Sequence, residues 1–524
     1  MISRKQVLQK QVSRVNDSGG NYPDPGSEEE FRRFQQIQRA FEEQFELFFP
    51  DNLAPKTVVV IPSLTLDQEV LAKIDGAMHY EERMLCLLML LRMPRTHVVY
   101  VTSMPIDPII IDYYLHLLPG ITGCHARERL TLLNCQDMSA VSLTEKILKR
   151  ERLIERIRRC IHPDQAAHMA CFNTTPRERT LSVRLGIPIY GCDPSLLYLG
   201  TKSGSRKIFL HAGIPMPPGV EDIRSYDEIV HAVSALKDMY PDLKKAVIKI
   251  NEGFSGEGNA LFTYPGQLHG RELFDWIQHN LYRAIVPVAK GMEINTFLEK
   301  FAFMGGTVEA FIEGEVKFSP SVQCRINPLG ETEIISTHDQ LLGGESGQVF
   351  LGAHFPCDTA YRADLSAMAR LIADALKSKG ALGRFAIDFI SVKEKDSWKH
   401  YAIEINMRKG GTTHPYLMLQ FLTDGNYNQA TGRFETQNRQ ERYYFASDNL
   451  QNNAYRGLSP QDLIDIAIYH GLHFDGATQK GVVFHMIGAL SQFGKMGIVC
   501  IGESREEAFS FYNRAIKVLD EETC

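Results

Sequence analysis

Residues 383–415 run GRFAIDFISVKEKDSWKHYAIEINMRKGGTTHP, and alternation in two segments of this stretch constrains how it can fold. Strand side chains point to opposite faces in turn, so Arg384, Ala386, Asp388 and Ile390 share one face while Phe385, Ile387 and Phe389 share the other. In YAIEINMR the same period puts Ala402, Glu404, Asn406 and Arg408 together, with Ile403, Ile405 and Met407 packed behind. The predicted hairpin thus gathers Asp388, Glu404 and Asn406, hard oxygen donors that suit magnesium holding phosphates, and Arg408 suits a phosphate or carboxylate oxygen. Taken alone, the same residues also fit a solvated edge hairpin.

Three upstream features favour a nucleotide site. KKAVIKINEGFSGEGNALF (244–262) predicts an apolar strand containing Lys249, a loop with Gly253, Ser255, Gly256 and Gly258, then a second strand. Glycines let backbone N–H groups approach phosphate oxygens, and the lysine supplies a point charge for the same anion. The loop leads into a strand, so it is neither a dinucleotide fingerprint nor a Walker A loop, both of which need a following helix. GTKSGSRKIFLHAGIPMPPG (200–219) places Lys202 and Lys207 at the start of a helix, and FLEKFAFMGGTVEAFIEGEVKF (297–318) lies between these lysines and the acidic hairpin.

This order of elements resembles the ATP-grasp superfamily over roughly residues 165–420. The resemblance implies that Lys202 and Lys249 contact ATP phosphates and that Gly253, Ser255, Gly256 and Gly258 form a loop closing over them. It also implies that Glu299, Lys300 and Phe301 read adenine, with Glu309 near the ribose, and that Asp388, Glu404 and Asn406 hold two Mg2+ ions. Arg408 matches the phosphate-side arginine, while Arg325 or Arg384 would orient the substrate carboxylate. RLGIPIYGCDP, INEGFSGEGNA, STHDQLLGGESGQVFLG and EINMRKGGTTHP are further similar to pheganomycin-type peptide ligases, which flank the grasp with a pre-ATP-grasp domain and a small C-terminal domain. The implied fold class is α/β with an α+β grasp. The implied activity is an ADP-forming carboxylate–amine ligase acting on amino acids or peptides through an acylphosphate. A small-molecule kinase and a non-catalytic ATP-binding regulator are the competing readings.

The remaining chain agrees with a cytoplasmic enzyme of about three domains. A net charge of −6 argues against a polyanion-binding surface, so nucleic acid is not expected as a partner. The longest apolar run, Met84 to Leu91, is too short for a bilayer, and MISRKQVLQKQ has no apolar signal core. Neither CxxC nor HExxH occurs, so neither a zinc framework nor a redox pair is indicated.

Residues 1–26, rich in Gly, Pro and Asp towards their end, are expected to be a mobile leader. Residues 27–175 are expected to be the α/β pre-ATP-grasp domain, with strands at Thr57–Ile61 and His97–Val101 and a helix opened by Ser27 and Glu30. Its stripe of Phe31, Phe34, Phe41, Phe45 and Phe48 is core or the contact of a homodimer. The grasp is expected over 176–425, a polar crossover loop over 426–460 and the small C-terminal domain over 461–524. Within the grasp, STHDQLLGGESGQVFLGAHFP (336–356) is expected to be a lid on the acceptor side, its His338, Asp339, Gln340, Gly343 and Gly344 facing substrate.

Overall fold

The computed structural model describes residues 3–17, 22–65, 76–253, 258–266, 268–289, 291–343 and 349–523. Four parallel strands come first: Lys56–Ile61 (β1), Thr96–Thr102 (β2), Leu130–Asn134 (β3) and Ala166–Cys171 (β4), in spatial order β3-β2-β1-β4. β1 and β4 are buried at every position, which is why they carry apolar runs rather than alternating, with Lys56, Thr57 and His168 as the buried polar exceptions. The helix Glu28–Phe48 begins where the Ser27 side chain accepts the Glu30 N–H at 3.2 Å, and it buries Phe34, Phe41 and Phe48. The phenylalanine stripe is therefore core at those three positions.

Part of the expected leader is helical. Arg4–Asp17 is a helix that buries Val7 and Gln11, and the Gln11 amide donates to Gln165 O at 2.8 Å. The Gly/Pro composition of residues 18–26 obscured the amphipathic segment before it.

A small antiparallel sheet follows, built from Gly219–Ile223 (β5), Lys245–Ile250 (β6), Asn259–Thr263 (β7), Ile285–Pro287 (β8) and Gly306–Ala310 (β9) in order β5-β9-β6-β7-β8. On β6, Ala246, Ile248 and Ile250 join a core with the helices Tyr226–Met239, Gly270–Ala284 and Ile294–Met304. The alternate residues Lys245, Val247 and Lys249 line a cleft on the other side.

The opposite wall belongs to an eight-stranded antiparallel sheet. Its strands are Lys317–Ile326 (β10), Thr332–Gly343 (β11), Val349–Phe355 (β12), Gly383–Glu394 (β13), Ser397–Asn406 (β14), and, after a short separate hairpin of Asn426–Asn428 (β15) with Arg433–Glu435 (β16), Tyr443–Gln451 (β17), Gly481–His485 (β18) and Lys495–Gly502 (β19). Their order is β14-β13-β10-β11-β12-β17-β19-β18.

This sheet bears on three expectations. Residues 426–460 are not a crossover loop, because β17 lies inside the sheet with Tyr444 and Phe445 buried. In the segment expected as the small C-terminal domain, 461–524, β18 and β19 extend the same sheet and the helix Arg505–Thr523 packs on it. The expected lid is mostly β11 and β12, two paired strands. In each case the polar or glycine-rich composition outweighed a period-two pattern that long-range pairing stabilises.

Candidate active site

The acidic wall forms as alternation requires, with one irregularity. β13 and β14 pair antiparallel, Asp388 opposite Glu404 and Ala386 opposite Asn406, with a register shift beyond Asp388. The shift is a bulge: Phe389 faces Ala402, Ala402 is buried in the core, and Ile403 instead lines the cleft. The Asn406 amide donates to Asp388 Oδ2 at 2.9 Å and to Glu404 Oε1 at 3.1 Å, and Gln340 Nε2 donates to Asp388 Oδ1 at 3.0 Å. Burial pushes the Asp388 carboxyl up, opposed by Ser321, Lys202, Arg408 and Gln340. Two carboxylates and an amide held within hydrogen-bond reach of one another form a donor set that fits a hard divalent cation, which would keep both carboxylates ionised.

The cationic side comes from two elements. Lys202 opens the helix Lys202–His211, capped by Thr201 Oγ1 accepting Gly204 N–H at 3.0 Å, and its ammonium meets the Glu404 carboxylate. A Cβ at Gly204 would lie 1.9 Å from Tyr198 O, so the close approach of the preceding turn demands glycine there. Burial, reinforced by Lys249, pulls the Lys202 ammonium down to about 8. Lys249 Nζ donates to Glu309 Oε2 at 2.6 Å, and Thr307 Oγ1 donates to Glu309 Oε1 at 3.0 Å. Burial alone would raise the Glu309 carboxyl, but Lys249 and Arg206 outweigh it and hold it low.

Lys202, Lys249, Gly253, Gly258, Glu309, Gln340, Asp388, Glu404, Asn406 and Arg408 line one cleft of about 820 Å3. That volume suits a nucleotide with room for a second substrate. Ser255, Gly256 and Gly344 lie outside the described residues.

Other expected site residues are elsewhere. Glu299, Lys300 and Phe301 sit on the helix Ile294–Met304, where Phe301 is buried in the small-lobe core and Glu299 is exposed. Where the chain passes between the lobes, Ala310, Phe311 and Ile312 line the cleft instead. Arg325 and Arg384 are cross-strand neighbours, and Arg325 pairs with Glu333 at 2.5 Å. Neither lines the cleft beside Asp388, and burial beside Arg325 pulls Arg384 down to about 10. His338 is fully buried with Nε2 2.7 Å from the Tyr444 hydroxyl, and burial lowers it to about 3. Asp339 accepts from Tyr361 at 2.6 Å and from Arg505 at 2.9 Å, so both residues clamp the sheet. Gly343 lies against Leu351.

Sequence reasoning missed Arg83, Lys245, Lys317 and Asp448, all of which line the cleft. Lys245 was readable, because it shares the strand period of Lys249. Its ammonium and that of Lys317 lie 5.7 and 4.7 Å from the Phe311 ring.

The family described as IQCH-like, ATP-grasp matches residues 195–285 and 271–430, which hold both walls of this cleft. Together the two matched stretches span residues 195–430. A second family, the PGM1 C-terminal domain, matches residues 462–515. The L-propargylglycine–L-glutamate ligase of Streptantibioticus cattleyicolor is 28% identical over 486 residues, covering 91% of this chain and 96% of the relative. IQ motif-containing protein H of Danio rerio is 22% identical over 518 residues, covering 90% of this chain; the chain spans about half of that relative, 49%. Among solved structures, a biotin carboxylase–β-γ-ATP complex from Campylobacter jejuni covers 89% of this chain and 91% of its own, with a TM-score of 0.53 and 12% identity. The biotin carboxylase domain of Hydrogenobacter thermophilus 2-oxoglutarate carboxylase covers 88% and 89%, with a TM-score of 0.51 and 13% identity. At these identities the likeness is one of fold alone.

Proposed function

We propose that the protein is an ATP-dependent carboxylate–amine ligase. The carrying observation is the facing of Lys202 and Lys249 with Asp388, Glu404 and Asn406 across one cleft inside an ATP-grasp domain. The Streptantibioticus cattleyicolor relative, named as a ligase of L-propargylglycine and L-glutamate, supports an amino acid or short peptide as the amine. Among the described residues no helix is long and apolar enough to cross a membrane, which agrees with a cytoplasmic enzyme.

In this reading a carboxylate oxygen attacks the γ-phosphorus of ATP, the bond to the β-phosphate oxygen breaks, and ADP leaves. The amine nitrogen then attacks the acyl carbon and phosphate departs, leaving an amide. The protein's part is positioning and neutralisation of charge. Lys249, fixed by Glu309, and Lys202 present ammonium donors to the phosphate oxygens. Phe311 and Ile312 offer the apolar edge of the cleft to the base. Asp388, Glu404 and Asn406 would hold Mg2+, two ions in our reading, which when bound neutralises phosphate charge as a Lewis acid. Arg408, next to Asn406, orients the oxygens of the activated acid.

The test is nucleotide release with panels of acids and amines. ADP and phosphate, formed only with a carboxylate, together with a hydroxamate when hydroxylamine replaces the amine, are expected. AMP, or ADP formation indifferent to every carboxylate tested, overturns the reading; a stable phosphorylated product without an amine points to a kinase.

A further inference from the structure

Three buried side chains outside the acidic wall converge on one point. His414 is in the first turn of the helix Thr413–Thr423, Asp448 lies in β17 and His485 ends β18. His414 Nε2 and His485 Nε2 are 2.8 Å apart, His485 Nε2 is 2.9 Å from Asp448 Oδ1, and His414 Nε2 is 3.1 Å from the same oxygen. Their relative exposures are 4%, 7% and 2%.

Hydrogen bonds cannot account for all three contacts. A neutral imidazole carries one ring proton, on one nitrogen or the other. If each Nε2 donates to Asp448, two N–H groups meet head to head at 2.8 Å. If His485 Nε2 is bare and accepts from His414, its lone pair faces the carboxylate at 2.9 Å. A cation at the centre satisfies all three lone pairs at once. Donors bonded to one ion at about 2.1 Å lie about 3.0 Å apart at right angles and about 3.4 Å apart at tetrahedral angles, and the observed separations of 2.8, 2.9 and 3.1 Å match the right-angled set.

The surroundings hold this triangle in place. Arg83 Nη2 occupies the other oxygen of Asp448 at 3.0 Å, leaving Oδ1 to face the histidines. Gly497 pairs with His485 across β18 and β19, and a Cβ there would lie 1.9 Å from His485 Nε2. His485 Nδ1 is buried with no protein partner, so this side of the outer shell is incomplete and binding should be reversible by a chelator.

We infer that His414, Asp448 and His485 form a binding site for a divalent transition-metal ion, with zinc the ion to test, separate from the Asp388–Glu404–Asn406 set. Two imidazoles and a carboxylate select such an ion over magnesium, which prefers oxygen donors. The ion would join three segments distant in sequence beside Arg83 and Asp448, both of which line the ATP-grasp cleft.

The test uses the untagged full chain, stripped with a chelator and titrated with zinc alone, then with excess Mg2+ present. About one zinc per chain by elemental analysis and a rise in Tm on loading are expected, both persisting in Asp388→Asn and lost in His485→Gln and Asp448→Asn. Should those variants fail to fold, cobalt(II) titrated into the stripped wild type should give the visible bands of imidazole-bound metal, displaced by zinc. No zinc retained, no cobalt bands, or zinc binding that His485→Gln leaves intact or Asp388→Asn abolishes overturns the inference.

Discussion

The hairpins β13–β14 and β11–β12 belong to one sheet, carry polar residues at strand period, and use them in opposite ways. On β13–β14, Asp388, Glu404 and Asn406 face an open cleft, where Lys202, Ser321, Gln340, Arg408 and one another restrain them. On β11, His338 and Asp339 are buried by Tyr444, Tyr361 and Arg505, while Gln340 reaches the site and bonds Asp388. A polar group on a strand is thus a site residue when its partner must come from solution, and a structural one when the fold already supplies it.

The largest expected effect is on the open hairpin. Asp388→Asn or Glu404→Gln should lower turnover by about a hundredfold or more with Tm nearly unchanged, since each removes an anionic ligand and little packing. Full turnover in either variant would detach the hairpin from the chemistry. Lys249→Met should abolish nucleotide binding by calorimetry and also cost about 3 kcal/mol, because Glu309 loses its nearest cation while 2% exposed. Adding Glu309→Gln should recover the stability but not the binding; recovery of both would make the pair merely structural.

Asp339→Ala should reverse the pattern, costing about 3 kcal/mol in denaturant unfolding while turnover per folded molecule stays near wild type. A selective rise in amine KM would restore the lid reading. The smallest effect concerns acid. His338 titrates near 6.5 when unfolded but only at about 3 when folded, so the unfolded chain takes the proton first. Its contribution is present above pH 6.5 and is lost as pH falls from there towards 3, amounting to about 2 kcal/mol at pH 5. His338→Gln should flatten that limb of stability against pH by about one proton; an unchanged slope would place the acid sensitivity elsewhere.

What could be read from the chain alone was local and periodic. Alternation located β13 and β14 and put Asp388, Glu404 and Asn406 on their cleft-facing sides, because strand geometry dictates which residues share a face, and an apolar run marked β6 around Lys249. The helix beginning at Lys202 was readable for the same local reason. Tertiary structure decided which polar groups pair within the fold, as His338 does with Tyr444, Asp339 with Tyr361 and Arg505, and Arg325 with Glu333, and it put Phe311 rather than Phe301 at the cleft. It also drew β17, β18 and β19 into the sheet and brought His414, Asp448 and His485 together from segments 34 and 37 residues apart. No local pattern encodes such a convergence, because it depends on sheet pairing and burial between strands far apart in sequence.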